Sequence, residues 1–163
     1  MVRKSAAGAQ QLKDVYASPG HLLRRAQQIA VALFFEEVKG LAITPVQFAA
    51  LTAIAEYPGL DQRSLVDAIA IDRSTVGSLV RRLEERKLIR RTTPPTNRRI
   101  KQLFITGKGA KLLESSNAAV EAVQRRIVDA LSTKERAEFM RLLAKLVHLN
   151  NDASRVPLKI SET

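Results

Sequence analysis

Two spacings of apolar residues alternate along the chain and predict where its helices and strands lie. An apolar period of three and four positions, typical of an amphipathic α-helix, marks six segments. These are residues 18–40, 44–57, 61–70, 72–87, 106–130 and 132–151. Between residues 88 and 106 the period falls to two, since Leu103 and Ile105 alternate with Gln102 and Phe104 as in a half-buried strand. The pattern predicts a mainly α fold with one small β-hairpin.

Capping residues mark where the predicted helices begin. Thr44 and Gln47 have the spacing of a capping box, and Ser132 and Glu135 repeat it. Single side-chain caps are expected at Ser18, Asp61, Asp72 and Thr106. Residues 1–17 are polar and alanine-rich, which leaves a short helix near residues 10–16 and a mobile arm as alternatives, and residues after about 151 are expected to form a polar tail.

The segment 72–87 has two faces of different chemistry. Its inward stripe is Val76, Leu79, Val80 and Leu83, and its other face carries Arg73, Ser74, Gly77, Ser78, Arg81 and Arg82. Arginine donates in a fixed fork and serine bonds to base edges or phosphates, so this face suits the DNA major groove. The segment taken alone is equally typical of a basic surface helix. Its tight connection to the short helix before it favours a helix-turn-helix, and the hairpin after it favours a wing.

The charge of the chain is concentrated in this part of the sequence. The formal net charge is +11, and residues 72–101 contain ten basic residues against three acidic ones. A local excess of this kind indicates a polyanionic partner. Arg98 and Arg99, near the tip of the predicted wing, can enter the narrow and electronegative minor groove.

The remaining long apolar stripes predict a dimer. At 163 residues the chain is expected to be a single domain, with residues 44–106 as the winged helix-turn-helix lobe. That lobe has its own core, so the helices over residues 18–40 and 107–151 need one another or a second subunit. The chain has no cysteine, two histidines and no long apolar run, and we expect a cytoplasmic protein without metal or cofactor.

The chain resembles the MarR (multiple antibiotic resistance regulator) family of winged-helix regulators. Four stretches carry the resemblance: LAITPVQFAAL from residue 41, IDRSTVGSLVRRL from 71, EERKLIRR from 84, and the wing up to TGKG at 106–109. It covers residues 20–150 and implies a dimer on a pseudo-palindromic operator, usually a repressor released by a small molecule. It further implies base contacts by Arg73, Ser74, Thr75 and Ser78, phosphate contacts by Ser64, Arg81 and Arg86, and entry of Arg98 into the minor groove.

The sequence departs from the family pattern at two places. The family wing commonly reads Asp-Pro-x-Asp-Arg-Arg, whereas residues 94–99 read PPTNRR, so both aspartates are missing. Asn97 then offers only a neutral hydrogen bond, which leaves the arrangement of Arg99 open. Gly77 replaces a larger polar residue and costs about 1 kcal/mol of helix propensity relative to alanine. We expect it to exchange stability for a closer approach to DNA.

The segment PGHLLRRAQQ at 19–28 resembles the branch of the family that controls aromatic-acid catabolism. On that resemblance His21, Arg24, Arg25 and Gln28 hold a carboxylate, and Phe34 and Phe48 contact an aromatic ring. The plainer alternatives are a solvated face for the arginines, an exposed polar residue for His21 and core positions for the phenylalanines, since apolar residues at helical spacing are usually core.

These features bear on three classes of function. A ligand-responsive repressor that acts on a catabolic or efflux operon accounts for the helix-turn-helix, the wing and the local charge. A nonspecific nucleoid or RNA-binding protein needs only the charge, but base-stacking RNA modules need exposed aromatics and only 4% of this chain is aromatic. No sequence motif supports an enzyme, because there is no nucleophile paired with histidine and no phosphate-cradling glycine loop.

Overall fold

The computed structural model describes residues 12–97 and 99–159. This part of the chain is helical apart from one antiparallel hairpin. The elements in order are α1 (Leu12–Ala17), α2 (Pro19–Glu37), α3 (Pro45–Glu56), α4 (Gln62–Ile69), α5 (Arg73–Glu85), β1 (Ile89–Thr92), β2 (Gln102–Ile105), α6 (Gly107–Ile127) and α7 (Thr133–Leu149), followed by a 3₁₀ turn over Asn151–Ala153. The mainly α fold with a small β-hairpin wing is confirmed.

The predicted caps form the helix starts. Both reciprocal bonds are present in the capping boxes of α3 and α7. The Ser18 hydroxyl accepts from the backbone N–H of His21, and the Asp61 carboxylate accepts from that of Ser64 at 2.8 Å. Because each cap needs only residues within one turn, sequence alone locates these boundaries closely.

The winged lobe has one continuous core. Leu51 and Ile54 of α3 and Leu65 of α4 are fully buried against the inner stripe of α5 and Leu103 of β2. All four predicted inward residues of α5, Val76, Leu79, Val80 and Leu83, are buried. This packing fixes α4 and α5 as a helix-turn-helix whose turn passes through Ala70 in the left-handed conformation, at φ 50°.

The hairpin is joined to the lobe along one edge. β1 pairs with β2 from Ile89 opposite Ile105 to Thr92 opposite Gln102. The segment before α4 forms an isolated β-bridge with β2, where the Leu103 N–H donates to the Leu60 carbonyl and the Leu103 carbonyl accepts from the Gly59 N–H, each at 2.9 Å. These bonds hold the base of the wing, while residues 95–97 and 99 near its tip are exposed.

The long helices form a second layer. α2 packs along α6, and Arg126 of α6 bonds to Glu37 at 2.5 Å and to Glu36 at 2.9 Å. Helix α7 has no buried residue and exposes Phe139, Met140, Leu142, Leu146, Val147 and Leu149. Much of the apolar face of α7 is therefore open to solvent.

Both ends of the described chain bear on the predictions. Leu12–Ala17 is a helix, which favours the short-helix alternative for that part, while residues 1–11 lie outside the described residues. The described part of the expected polar tail, residues 152–159, is mostly exposed but folds back across the molecule, and the Lys159 N–H donates to the Asp67 carbonyl of α4 at 3.1 Å.

Candidate nucleic-acid interface

One face of α5 presents a row of basic and hydroxyl side chains to solvent. The row is Arg73, Ser74, Thr75, Ser78, Arg81 and Arg82, all of them exposed. It exists because the opposite stripe is fixed in the core. A helix seated in this way at the second position of a helix-turn-helix is the element that enters a major groove.

Asp72 organises the first turn of this helix. Its Oδ1 accepts from the Thr75 N–H at 3.0 Å and from the Ser74 hydroxyl at 2.5 Å, and its Oδ2 accepts from the Thr75 hydroxyl at 2.6 Å. Bonds from the Ser74 and Thr75 hydroxyls and the Thr75 N–H hold the pKa of Asp72 well below its usual range. The carboxylate is therefore ionised at neutral pH and sits where the helix dipole favours it.

These bonds use the hydroxyl hydrogens, so the hydroxyl oxygens are left to accept hydrogen bonds from a partner. Ser74 and Thr75 each use their only hydroxyl hydrogen on Asp72, and Ser78 donates to the Ser74 carbonyl at 3.2 Å. With the hydrogens engaged, each oxygen faces outward as an acceptor. The amino groups of adenine and cytosine are the complementary donors in the major groove.

Gly77 lies one turn from both Arg73 and Arg81 on α5 and is half-buried. A Cβ at this position would come 3.3 Å from Nε2 of Gln62, the end of a flexible side chain on α4. Its expected approach to DNA stays a prediction.

Arg81 and Arg86 differ in their freedom to move. Among residues 12–97 and 99–159, Arg81 forms only a long 3.9 Å pair with Glu85, and both side chains are about two-thirds exposed, so the pair is weak and the guanidinium can turn to a phosphate. Arg86 is half-buried and donates to Oε1 of Gln47 at 3.1 Å, while its carbonyl accepts from Nζ of Lys108. Arg86 thus joins the starts of α3 and α6 to the end of α5.

The wing carries its cations on an exposed surface. Arg98 lies outside the described residues. The side chain of Asn97 accepts from the Arg99 N–H at 3.0 Å, which is the neutral bond expected in place of a carboxylate, and Arg99 is exposed. Sequence reasoning did not single out Arg90, whose guanidinium lies 4.4 Å from the centre of the Phe104 ring. The sequence feature that indicates this contact is the position of Arg90 opposite Phe104 in the hairpin.

Ser64 lies at the start of α4, on the first helix of the helix-turn-helix. Its side chain is exposed, and its N–H is held by Asp61. A cavity of about 750 Å³ between α3 and α4 is also lined by Ser64, together with Phe48, Tyr57 and Leu158. Beside it Glu56 raises the pKa of Tyr57, because the carboxylate accepts a hydrogen bond from the phenol and repels its ionised form.

The structure brings four of the six predicted effector residues together. Gln28 Oε1 accepts from Arg24 at 3.1 Å and from Arg25 at 3.3 Å, and Arg24 lies 3.4 Å from Nδ1 of His21. The ring of Tyr16 lies 5.1 Å from that of His21. The cluster is on the exposed side of α2, and no ion pair of these arginines occurs within the described residues.

The two phenylalanines are elsewhere. Phe34 is 5% exposed, belongs to the core and meets Phe35 edge to face. Phe48 is half-buried and lines the cavity between α3 and α4. For Phe34 the core position is therefore the observed one.

Comparison with known proteins places these features in a family. A sequence model of the MarR family matches residues 43–101, which include α3, the helix-turn-helix and most of the wing. The transcriptional repressor NicR of Pseudomonas putida is 30% identical over 140 residues, which cover 86% of this chain and 89% of NicR. The matched segments therefore extend beyond the winged lobe into the long helices.

Solved structures of other transcriptional regulators share the fold of this chain. BpsR of Bordetella bronchiseptica, whose DNA binding is regulated by 6-hydroxynicotinic acid, superposes with a TM-score of 0.72 at 33% identity over 78% of this chain and 96% of BpsR. The transcriptional repressor CouR, bound to a 23-mer DNA duplex, superposes with a TM-score of 0.76 at 26% identity over 86% of this chain and 99% of CouR. No described helix of this chain is long and apolar enough to cross a membrane.

Proposed function

The chain belongs to the MarR family of transcriptional regulators, and from that premise we propose that it is a dimeric repressor of a catabolic or efflux operon. A small aromatic acid, or its CoA thioester, releases it from a pseudo-palindromic operator. The outward face of α5 is the observation that carries the proposal, because its arginines and acceptor hydroxyls are exposed above a fully packed inner stripe.

The exposed apolar faces support the dimer. Helix α7 exposes Val147 at 59% and Leu149 at 68%, and α2 exposes Leu22 at 55% and Ile29 at 50%. A second copy that covers these faces would bring two α5 helices onto one duplex. Half-sites one helical turn apart are then expected, since a two-fold protein reads a two-fold site.

The arginine cluster on α2 supports the acidic effector. Arg24 and Arg25 converge on the Gln28 oxygen, which is the type of acceptor that a carboxylate replaces with a stronger, charge-assisted bond. NicR is a repressor, and 6-hydroxynicotinic acid regulates the DNA binding of BpsR. Release requires that the ligand prefer the conformation that does not fit the operator.

The test is selection of bound duplexes from a random pool, with and without benzoate, hydroxybenzoate, nicotinate and aryl-CoA compounds. We expect a pseudo-palindrome that the protein prefers to scrambled DNA by about 10³-fold or more. One compound class should abolish the enrichment. The variant Arg24→Gln should keep the operator and lose the response, while Lys39→Gln, an exposed cation just beyond α2, should behave as wild type.

The outcomes separate the parts of the proposal. Enrichment of no sequence would reject the repressor and favour nonspecific nucleic-acid binding by charge alone. A palindrome that ignores every compound would retain the regulator and reject the aromatic effector. An unchanged response in Arg24→Gln would reject this cluster as the effector site.

A further inference from the structure

The C-terminal segment, residues 150–159, returns from the long helices to the DNA-binding lobe. It leaves α7 through the 3₁₀ turn Asn151–Ala153, bends over residues 154–156 and continues to α4, where the Lys159 N–H donates to the Asp67 carbonyl. Val156 and Pro157 are half-buried along this path. We refer to residues 150–159 as the strap.

Side-chain bonds hold the strap in this path. Nδ2 of Asn151 donates to the Leu158 carbonyl at 3.2 Å, and its Oδ1 accepts from the Leu158 N–H at 2.9 Å. The Ser154 hydroxyl donates to the Val156 carbonyl and accepts from its N–H. Asn151 thus binds both backbone groups of one residue seven positions away, which closes the strap into a loop.

The closed loop places two cations beside the recognition helix. Arg155 and Lys159 line one cleft together with Arg73 and Ser74, the first residues of α5. Arg155 is exposed and has no carboxylate within ion-pair distance among residues 12–97 and 99–159. A solvated guanidinium next to the end of a helix that enters a groove is suited to bind the phosphates at that groove's edge.

Two carboxylates face the same cleft. Asp72 is engaged by the Ser74 and Thr75 hydroxyls and by the first turn of α5, so its charge is partly satisfied there. Asp67 is on α4 beneath Lys159, whose N–H its backbone carbonyl accepts. Arg155 and Arg73 are the two arginines that line this cleft.

We propose that the strap is a third DNA-contacting element, in addition to α5 and the wing, and that Arg155 binds a backbone phosphate next to the recognition helix. The site is assembled by folding, because residue 155 lies 82 positions from Arg73 in sequence. The inference rests on the proposed function only in requiring that α5 bind a duplex. A phosphate contact carries no base information and strengthens binding to all sequences alike.

The experiment measures duplex affinity as a function of salt concentration for Arg155→Gln, on the selected operator and on a scrambled duplex. Loss of one phosphate contact should weaken binding about five-fold per subunit near 0.15 M salt, and should reduce the slope of log K against log salt by about 0.9 per subunit. Equal losses on both duplexes are expected. Arg155→Lys should keep most of the slope, since the charge remains.

Controls separate a phosphate contact from general charge and from folding. Lys134→Gln removes an exposed cation at the start of α7, and its slope should match that of wild type. Asn151→Ala opens the loop without loss of charge, and it should lower affinity in the same direction as Arg155→Gln. Urea unfolding of Arg155→Gln should be unchanged.

An Arg155→Gln protein with the affinity and salt slope of wild type would overturn the proposal. A loss confined to the operator would also overturn it, because it would indicate a base contact or a repositioned α5. If wild type shows no preference for any sequence, the proposed repressor function fails, but the slope on the scrambled duplex still reports on Arg155.

Discussion

Gly109 and Gly107, two residues apart at the start of α6, face very different surroundings. A Cβ on Gly109 would overlap the Leu88 carbonyl oxygen and lie 2.9 Å from Cγ1 of Ile105, whereas a Cβ on Gly107 would meet nothing within 4 Å. The Leu88 oxygen is held by the N–H and hydroxyl of Thr106, each at 3.0 Å, and therefore resists displacement.

We expect Gly109→Ala to lower the free energy of unfolding by about 1 to 3 kcal/mol, as forced overpacking does. Gly107→Ala is the matched control, and it should be neutral or up to about 1 kcal/mol more stable because alanine favours helix. Urea denaturation of both variants measures the difference. Equal stabilities would contradict the close contact between α6 and the end of α5.

Asp72 links the stability of α5 to pH. Its folded pKa is depressed, so its contribution to stability is present above the unfolded pKa of about 4 and is lost as pH falls toward the folded value. We expect wild type to exceed Asp72→Asn in stability most at pH 5–7, and the difference to shrink below pH 4. Urea midpoints measured from pH 3 to pH 7 check this.

The source of that depression provides a control within the same helix. Ser74→Ala removes the hydrogen bond that lowers the pKa of Asp72 most, and should reduce the pH dependence without abolishing it. If wild type is more stable than Asp72→Asn by the same amount from pH 3 to pH 7, the charge of the carboxylate adds nothing to what a neutral cap contributes.

For the whole molecule, the exposed apolar face of α7 predicts the assembly. Leu146 and Val147 are 45% and 59% exposed. The double variant Leu146→Glu, Val147→Glu should be monomeric, because burial of carboxylates in an apolar interface is costly. Operator affinity should fall toward the nonspecific level, on the order of 10³-fold. Sedimentation equilibrium measures the mass.

Lys134→Glu is the matched control for this pair, since it changes the net charge by the same amount at an exposed position at the start of the same helix. It should remain dimeric and keep its preference for the operator. A wild type that sediments as a monomer, or a double variant that still dimerises, would contradict the proposed interface.

The helices, the hairpin and the inner face of α5 could be predicted from local sequence patterns. These features depend on apolar period and on caps, and both act between residues within a few positions of one another. Asp72 and Thr75, or Thr44 and Gln47, meet in any helix that starts there. The exposed row on α5 followed, because a fixed inner stripe leaves only one outward face.

Contacts between residues far apart in sequence could not be predicted from such patterns. Gly77 faces Gln62, Arg86 bonds to Gln47, and the strap returns to α4, and each contact depends on how the helices cross. No local pattern contains that information, since packing between elements sets it. The effector candidates show the same division: Arg24, Arg25 and Gln28 meet because they lie within about one helical turn, while burial of Phe34 depends on the core that forms around it.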